Sequence, residues 1–364
     1  MRPSISQFIP FVLLSAFFLT GCGSFNYYLD ILNGHAEILN KAEPISEILQ
    51  RQDIRPAVKQ ALRELQQARQ FAVAELYLPD NGSYREYADI GRRYVVWNVV
   101  ATDEFSLQPQ QWCFLIVGCL SYRGFYSRTT AEEFAAALHK QGKDVYVAGV
   151  KAYSTLGWFD DPLLNTMLYR DLSMRMNLLF HELAHQKIYV AGDTAFNEAF
   201  ATAVAQEGVR RWLIKQGKAA DYERYLQKLK YRQAFNHLLR QARQDLEKIY
   251  TADLGVAEMR QRKRLRFARL QQEYQQLKAR WGNDTRFDGW MAQDLNNAHL
   301  LLVATYHDAV PGFQAMLAQH GGDLQGFYRE VEGMLALSKE ARHRRLDKLA
   351  RGGVAAPLAG YQGK

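Results

Sequence analysis

Phe180-His181-Glu182-Leu183-Ala184-His185 is the stretch on which the reading of this chain turns. Its surroundings are uncharged, with Asn177, Leu178 and Leu179 before it and Leu183 and Ala184 inside it, which suits a helix buried beneath a cleft. Residues four apart on a helix differ in direction by ~40°, so His181 and His185 leave one face a turn apart. Two imidazoles so placed can hold one tetrahedral zinc ion, and Glu182, one step round the helix, reaches a zinc-bound water without being a ligand. Without a metal these groups would have to be hydrogen-bonded in the core, since an unsatisfied buried polar group costs ~2–7 kcal/mol.

Working outward, Leu172–Val190 and Asp193–Gln216 read as consecutive helices joined at Gly192, with Asp193 or Thr194 as N-cap of the second. Ala199, Ala201, Ala203 and Ala205 make that second helix narrow enough for close packing. Upstream, Glu43–Leu78 carries apolar residues at helical spacing, preceded by a short linker after Cys22. From Pro79 to Gly124 aromatic and β-branched residues dominate and predict a small sheet. Ala131–Gln141 reads as a helix, Val145–Leu156 as a strand, and Asp160-Asp161-Pro162 as a break. Asp221–Trp281 reads as a long antiparallel helical pair broken near Leu254-Gly255, and two final helices are expected near Asp294–Val310 and Leu324–Leu349. The Arg260–Arg269 run reads as the solvated face of such a helix, contact with anionic lipid being the other reading. The fold class is therefore α+β, predominantly α-helical, with a small β-sheet before the zinc helix and long C-terminal helices.

The chain has 364 residues, and its 48% apolar and 23% charged residues exclude wholesale disorder and a polytopic membrane protein. A net charge of +8 spread over that surface does not argue for nucleic acid as a partner. Met1-Arg2, the apolar run Phe8–Leu19 and then Leu19-Thr20-Gly21-Cys22 have the layout of a bacterial export signal, too short for a spanning helix of ~20 residues. The Leu-x-Gly-Cys ending resembles a lipobox, which makes Cys22 the lipidated first residue of the mature chain. Gly23 after it suggests the outer membrane, with the protein on the periplasmic side. The expected organisation is a signal peptide at 1–21 and one catalytic domain at 22–350, followed by a flexible tail at 351–364. Within the domain, 22–78 is the N-terminal helical part, 79–160 the sheet part and 161–350 the zinc-site and helical part. Export also favours a disulfide between Cys113 and Cys119 around Gly118, two free buried thiols being the alternative.

The metzincin extension would need Gly at 188 and His at 191, where this chain has Ile188 and Ala191. Instead Asn197-Glu198-Ala199-Phe200-Ala201 resembles the N-E-x-x-A motif of gluzincins, in which a second helix brings its glutamate to the zinc. That resemblance implies Glu198 as third metal ligand, with Glu207 in reserve. More widely, the chain resembles the predicted zinc aminopeptidase family of bacterial lipoproteins. The matching pieces are Cys22, Cys113 to Cys119 with Tyr122-Arg123-Gly124, Ala152 to Trp158, His181 to Gln186, Phe196-Asn197-Glu198, and Asn296-Asn297 with Tyr306 and Pro311. The resemblance implies a single zinc ion as cofactor and a peptide as substrate, with Glu182 as general base. It also implies Tyr306 as the oxyanion donor, His307 being the neighbouring alternative. Tyr153, Ser154, Gly157 and Asn297 are the expected substrate contacts, although Asn296 and Asn297 fit a helix cap equally well.

An aminopeptidase needs an acidic group near the metal for the substrate's α-amine, and Asp160, Asp161, Asp193 and Asp308 are available. An envelope endopeptidase and a non-catalytic envelope lipoprotein are the other readings of this site, and the sequence leaves the oligomeric state open.

Overall fold

The structure is a computed structural model that describes residues 22–114, 118–152, 155, 159–169, 171–304 and 309–352. Its first element is a helix, α1 (Cys22–Asn40), where the sequence suggested a linker. Gly34 reads as a helix breaker, yet a Cβ there would sit 2.1 Å from the Tyr126 ring, so the glycine admits that ring against the helix. Strand β1 (Ala42–Pro44) and a single turn at Ile45–Ile48 lead to α2 (Pro56–Leu76), which starts on a proline at its first positions and ends at Tyr77 in the left-handed region.

The sheet part is real but divided. Strands β2 (Glu86–Ala88), β3 (Val96–Asp103), β4 (Trp112–Phe114), β5 (Gly118–Leu120) and β6 (Arg123–Phe125) precede α3 (Arg128–Lys140), β7 (Lys143–Val150) and β8 (Leu163–Leu164). They form an antiparallel sheet β6-β3-β7, a small sheet β1-β2-β8 whose β2-β8 pair is parallel, and the hairpin β4-β5. Val99 opposite Val147 sets the register of the larger sheet, and α3 covers its apolar face through Ala131, Ala135 and Leu138. In the hairpin Cys113 lies opposite Cys119, and the two are joined by a disulfide.

Two helices make the centre of the molecule. α4 (Leu172–Lys187) is capped by Asp171 and α5 (Thr194–Lys215) by Asp193, and the short elbow between them turns the chain back on itself. Ala199, Ala201, Ala203 and Ala205 are buried on α5, and α2 closes the other side, Phe71 meeting Phe180 and Trp212 with ring centroids 6.2 and 5.2 Å apart. Burying large side chains at ~25 cal/mol per Å² of apolar surface makes this the main cohesive core.

The polar stretch that follows is a helical hairpin, α6 (Ala219–Thr251) and α7 (Val256–Arg280), broken where the sequence places the break. It has its own core, in which Phe235 stacks on Phe287 at 4.0 Å and packs with Leu238, Leu246, Leu270 and Tyr274. The basic run on α7 keeps to the solvated-face reading at Arg260, Arg262, Arg264 and Arg269, which are exposed, and departs from it at two positions. Lys263 and Arg266 are buried and paired, Lys263 with Asp144 at 2.6 Å and Arg266 with Asp245 at 2.9 Å. The two expected final helices are four: α8 (Asn297–Ala304), α9 (Val310–Gln319), α10 (Leu324–Gly333) and α11 (Lys339–Gly352). Pro311 restarts the chain at α9, and Asp323 and Ser338 cap the backbone at the next two starts. No described helix is long and apolar enough to cross a membrane, and the run Phe8–Leu19 lies outside the described residues.

Candidate metal centre

His181 and His185 project from one face of α4, their rings perpendicular with centroids 4.7 Å apart and their Nε2 atoms separated by 3.1 Å. Glu198 enters from the second turn of α5, with Oε2 at 3.2 Å from His181 Nε2 and Oε1 at 3.6 Å from His185 Nε2. One donor atom from each residue lies within 4.8 Å of the others. Tetrahedral bonds of ~2.0–2.1 Å put neighbouring donors ~3.4 Å apart, which the three separations bracket. Two imidazole nitrogens and a carboxylate oxygen are also a donor set suited to a catalytic zinc, so the residues fit the ion.

The electrostatics treat the two histidines differently. Burial, helped by the charge of His181, pushes His185 down to about 4, which keeps its imidazole neutral with a lone pair to give. For His181 burial acts in the same direction, but the hydrogen bond it donates to Glu198 and the charges of Glu182 and Glu198 outweigh it and raise the group. Glu182 is 8% exposed, and burial, reinforced by the charges of Glu198 and Asp161 against the pull of His181, pushes it up to about 7. A carboxyl held there can take and return a proton near neutrality.

Both helices are fixed by polar contacts outside the donor set. Asn197, next to Glu198, doubles onto the elbow: its Oδ1 accepts from Val190 N and its Nδ2 donates to Val190 O, both at 2.8 Å. Gln186, next to His185, donates to Ser83 Oγ at 3.1 Å and accepts from Asn81 Nδ2 at 2.8 Å. Asp161 is buried in the same region, its N–H on Ser83 Oγ at 3.3 Å and its Oδ2 accepting from Thr155 N at 2.9 Å. Gln186 lies one turn beyond Glu182 on the same helical face, so this network runs along the side of α4 that carries the base. Tyr122 packs with Val100, Ala298 and Leu301, and burial together with the charge of Glu198 raises its phenol.

Other expected site residues lie elsewhere. Asn297 is fully buried, its Nδ2 donating to Glu104 O and Ser106 O at 2.9 and 3.0 Å and its Oδ1 accepting from Tyr250 at 2.8 Å. It ties α8 to the end of β3 and to α6, which corrects its reading as a substrate contact. Glu207 pairs with Arg210 and Arg211, both at 2.7 Å, and does not join the donor set. Asp193 is held by Arg342 and His343 of α11. Tyr153, Ser154, Gly157, Tyr306, His307 and Asp308 lie outside the described residues, and Cys22 is the first residue of α1. The supports at Ser83, Asn81 and α11 are absent from the sequence reading because no local pattern links them to the histidines. The one available signal was Gln186, a polar residue directly after the second histidine.

No curated protein and no solved structure matches this chain. A family model does match, over residues 26–346, and that span takes in His181 to His185, the helix that carries Glu198 and both helical cores. By this match the chain belongs to the family described as "Putative aminopeptidase".

Proposed function

We propose that the protein is a zinc-dependent aminopeptidase of gluzincin type. The observation that carries the reading is the convergence of His181, His185 and Glu198 with Glu182 buried beside them. The family description supports a peptidase acting at chain ends. When bound, zinc supplies a water of lowered pKa and a Lewis acid for the substrate carbonyl. The chain's own part begins at Glu182, which accepts a proton on its carboxylate and returns it to the departing amine. Burial of α4 excludes bulk water and strengthens those charges. Tyr306 is the proposed donor to the oxyanion, and Tyr153, Ser154 and Gly157 the proposed substrate contacts. Lipidation at Cys22 would tether the enzyme on the periplasmic side of the outer membrane, where nucleic acid is not a partner.

Incubating the purified protein with a mixed peptide library and following products by mass spectrometry tests this. Stepwise loss of N-terminal residues by the wild type, and none by Glu182→Gln, is the expected result. Internal cuts would replace the reading with an endopeptidase, and equal turnover by Glu182→Gln would remove the proposed mechanism.

A further inference from the structure

Five residues before Glu198, the same helix carries another carboxylate. Asp193 is 1% exposed and accepts from the Phe196 N–H at 3.4 Å, capping α5. Its Oδ2 also accepts from Arg342 Nε and Nη2 at 3.0 and 2.9 Å, and its Oδ1 lies 2.8 Å from His343 Nε2. Both partners belong to α11. Lys339, one turn earlier on α11, donates to Gly192 O at 3.2 Å. Positions 339, 342 and 343 share a helical face, so α11 brings three basic side chains onto two consecutive residues of the elbow. Arg342 is itself fixed, buried with Nη1 on Leu337 O at 2.6 Å and its guanidinium 5.5 Å from the centre of the Phe196 ring.

The elbow runs from the end of α4, which bears the histidines, to the start of α5, which bears Glu198. Its geometry therefore sets how far the glutamate stands from the imidazoles. Asn197 fixes the elbow from inside through Val190, and α11 fixes it from outside. α9 fills the space between α5 and α11. Phe313 packs on Phe196 and Phe200 with centroids at 5.2 and 5.8 Å, and a Cβ on Gly312 would come within 2.5 Å of the Leu346 carbonyl oxygen. The contact of α11 is thus built from an apolar seat at Gly312 and an ionic clamp at Asp193.

Capping alone does not account for the clamp, because a neutral Ser or Asn serves as well as Asp at that position. Burying a full charge is costly unless its partners are fixed in place, as they are here. We propose that α11 is a brace for the metal centre, with Asp193, Arg342 and His343 as positioning residues that hold Glu198 at bonding distance from His181 and His185.

This rests on the zinc reading above, and the test separates the two. Zinc affinity is measured by competition with a chromophoric chelator, at a temperature where circular dichroism shows every variant folded. Loss of a group that orients a metal ligand weakens binding ~10–100-fold, and that range is expected for Arg342→Met, with Arg342→Lys closer to the wild type. Gly312→Ala, which pushes α11 outward without touching a charge, is expected to weaken zinc in the same direction. Lys263→Met breaks the buried pair between α7 and Asp144 of β7, which includes no residue of the elbow or of α11, and is expected to leave affinity unchanged. Wild-type affinity in both Arg342 variants, or an equal loss in Lys263→Met, overturns the brace while leaving the zinc reading intact. A wild type that binds no zinc removes both.

Discussion

Helix α5 carries two carboxylates within two turns, and each faces histidine, but the company they keep differs. Asp193 meets a guanidinium that is always charged, one imidazole and a backbone N–H, all within 3.4 Å. Glu198 meets two imidazoles whose nitrogens point at each other as well as at the carboxylate. The first cluster balances its charge with a fixed cation from a distant helix and so stabilises the fold. The second gathers lone pairs from three side chains around one point, an arrangement whose natural complement is a divalent cation. Two Asp/Glu–His clusters on one helix thus differ both in burial, the Asp193 side chain being 1% exposed against 29% for Glu198, and in the chemistry of their partners.

The largest expected effect that sharpens this contrast is catalytic. Glu182→Gln leaves all three donors in place and is expected to lower peptide turnover ~10²–10⁴-fold with zinc still bound. Loss of zinc from that variant would show that the site is less divided into ligands and base than the geometry implies. Next comes stability. Asp193→Ala strands a buried Arg342 and is expected to cost about 3–5 kcal/mol in urea unfolding, whereas Glu198→Ala in metal-free protein costs less than ~1 kcal/mol. Equal costs would erase the distinction between the clusters.

Zinc provides a further test. At ~100 times its dissociation constant it is expected to stabilise the wild type by about 2.7 kcal/mol and to leave Glu198→Ala unmoved. A smaller effect concerns pH. Burial raises the Asp193 carboxyl, but the hydrogen bonds from His343 and Arg342 outweigh it and hold the group below its usual value. A depressed carboxyl contributes stability that is complete above the unfolded value of ~3.9 and is lost as pH falls through the folded value. Acid unfolding between about pH 5 and 2 should therefore be steeper for the wild type than for Asp193→Asn. Parallel curves would mean that the pair contributes no such linkage.

The sequence shows the second cluster far better than the first. His181 and His185 are four residues apart, so helical period alone aligns them, and Glu198 follows on the next helix. Nothing local joins Asp193 to Arg342, which lie 149 residues apart and meet only because α9 seats α11. Asn297 went the other way: the family resemblance suggested a substrate contact and its place at a helix start a cap, and only the tertiary fold shows its side chain engaged by Glu104, Ser106 and Tyr250. The long hairpin was legible from its apolar spacing. The burial of Lys263 and Arg266 was not, because their acceptors Asp144 and Asp245 come from other segments. Helix α1 stands where a linker was expected, and the contact that its Gly34 admits, the Tyr126 ring, lies far along the chain.

The most direct test of the account is the zinc content of purified wild type and Glu198→Ala, measured by elemental mass spectrometry after dialysis against a weak chelator. The account predicts about one zinc ion per chain in the wild type and a large loss in the variant. A metal-free wild type, or a Glu198→Ala protein that keeps its zinc, would contradict it.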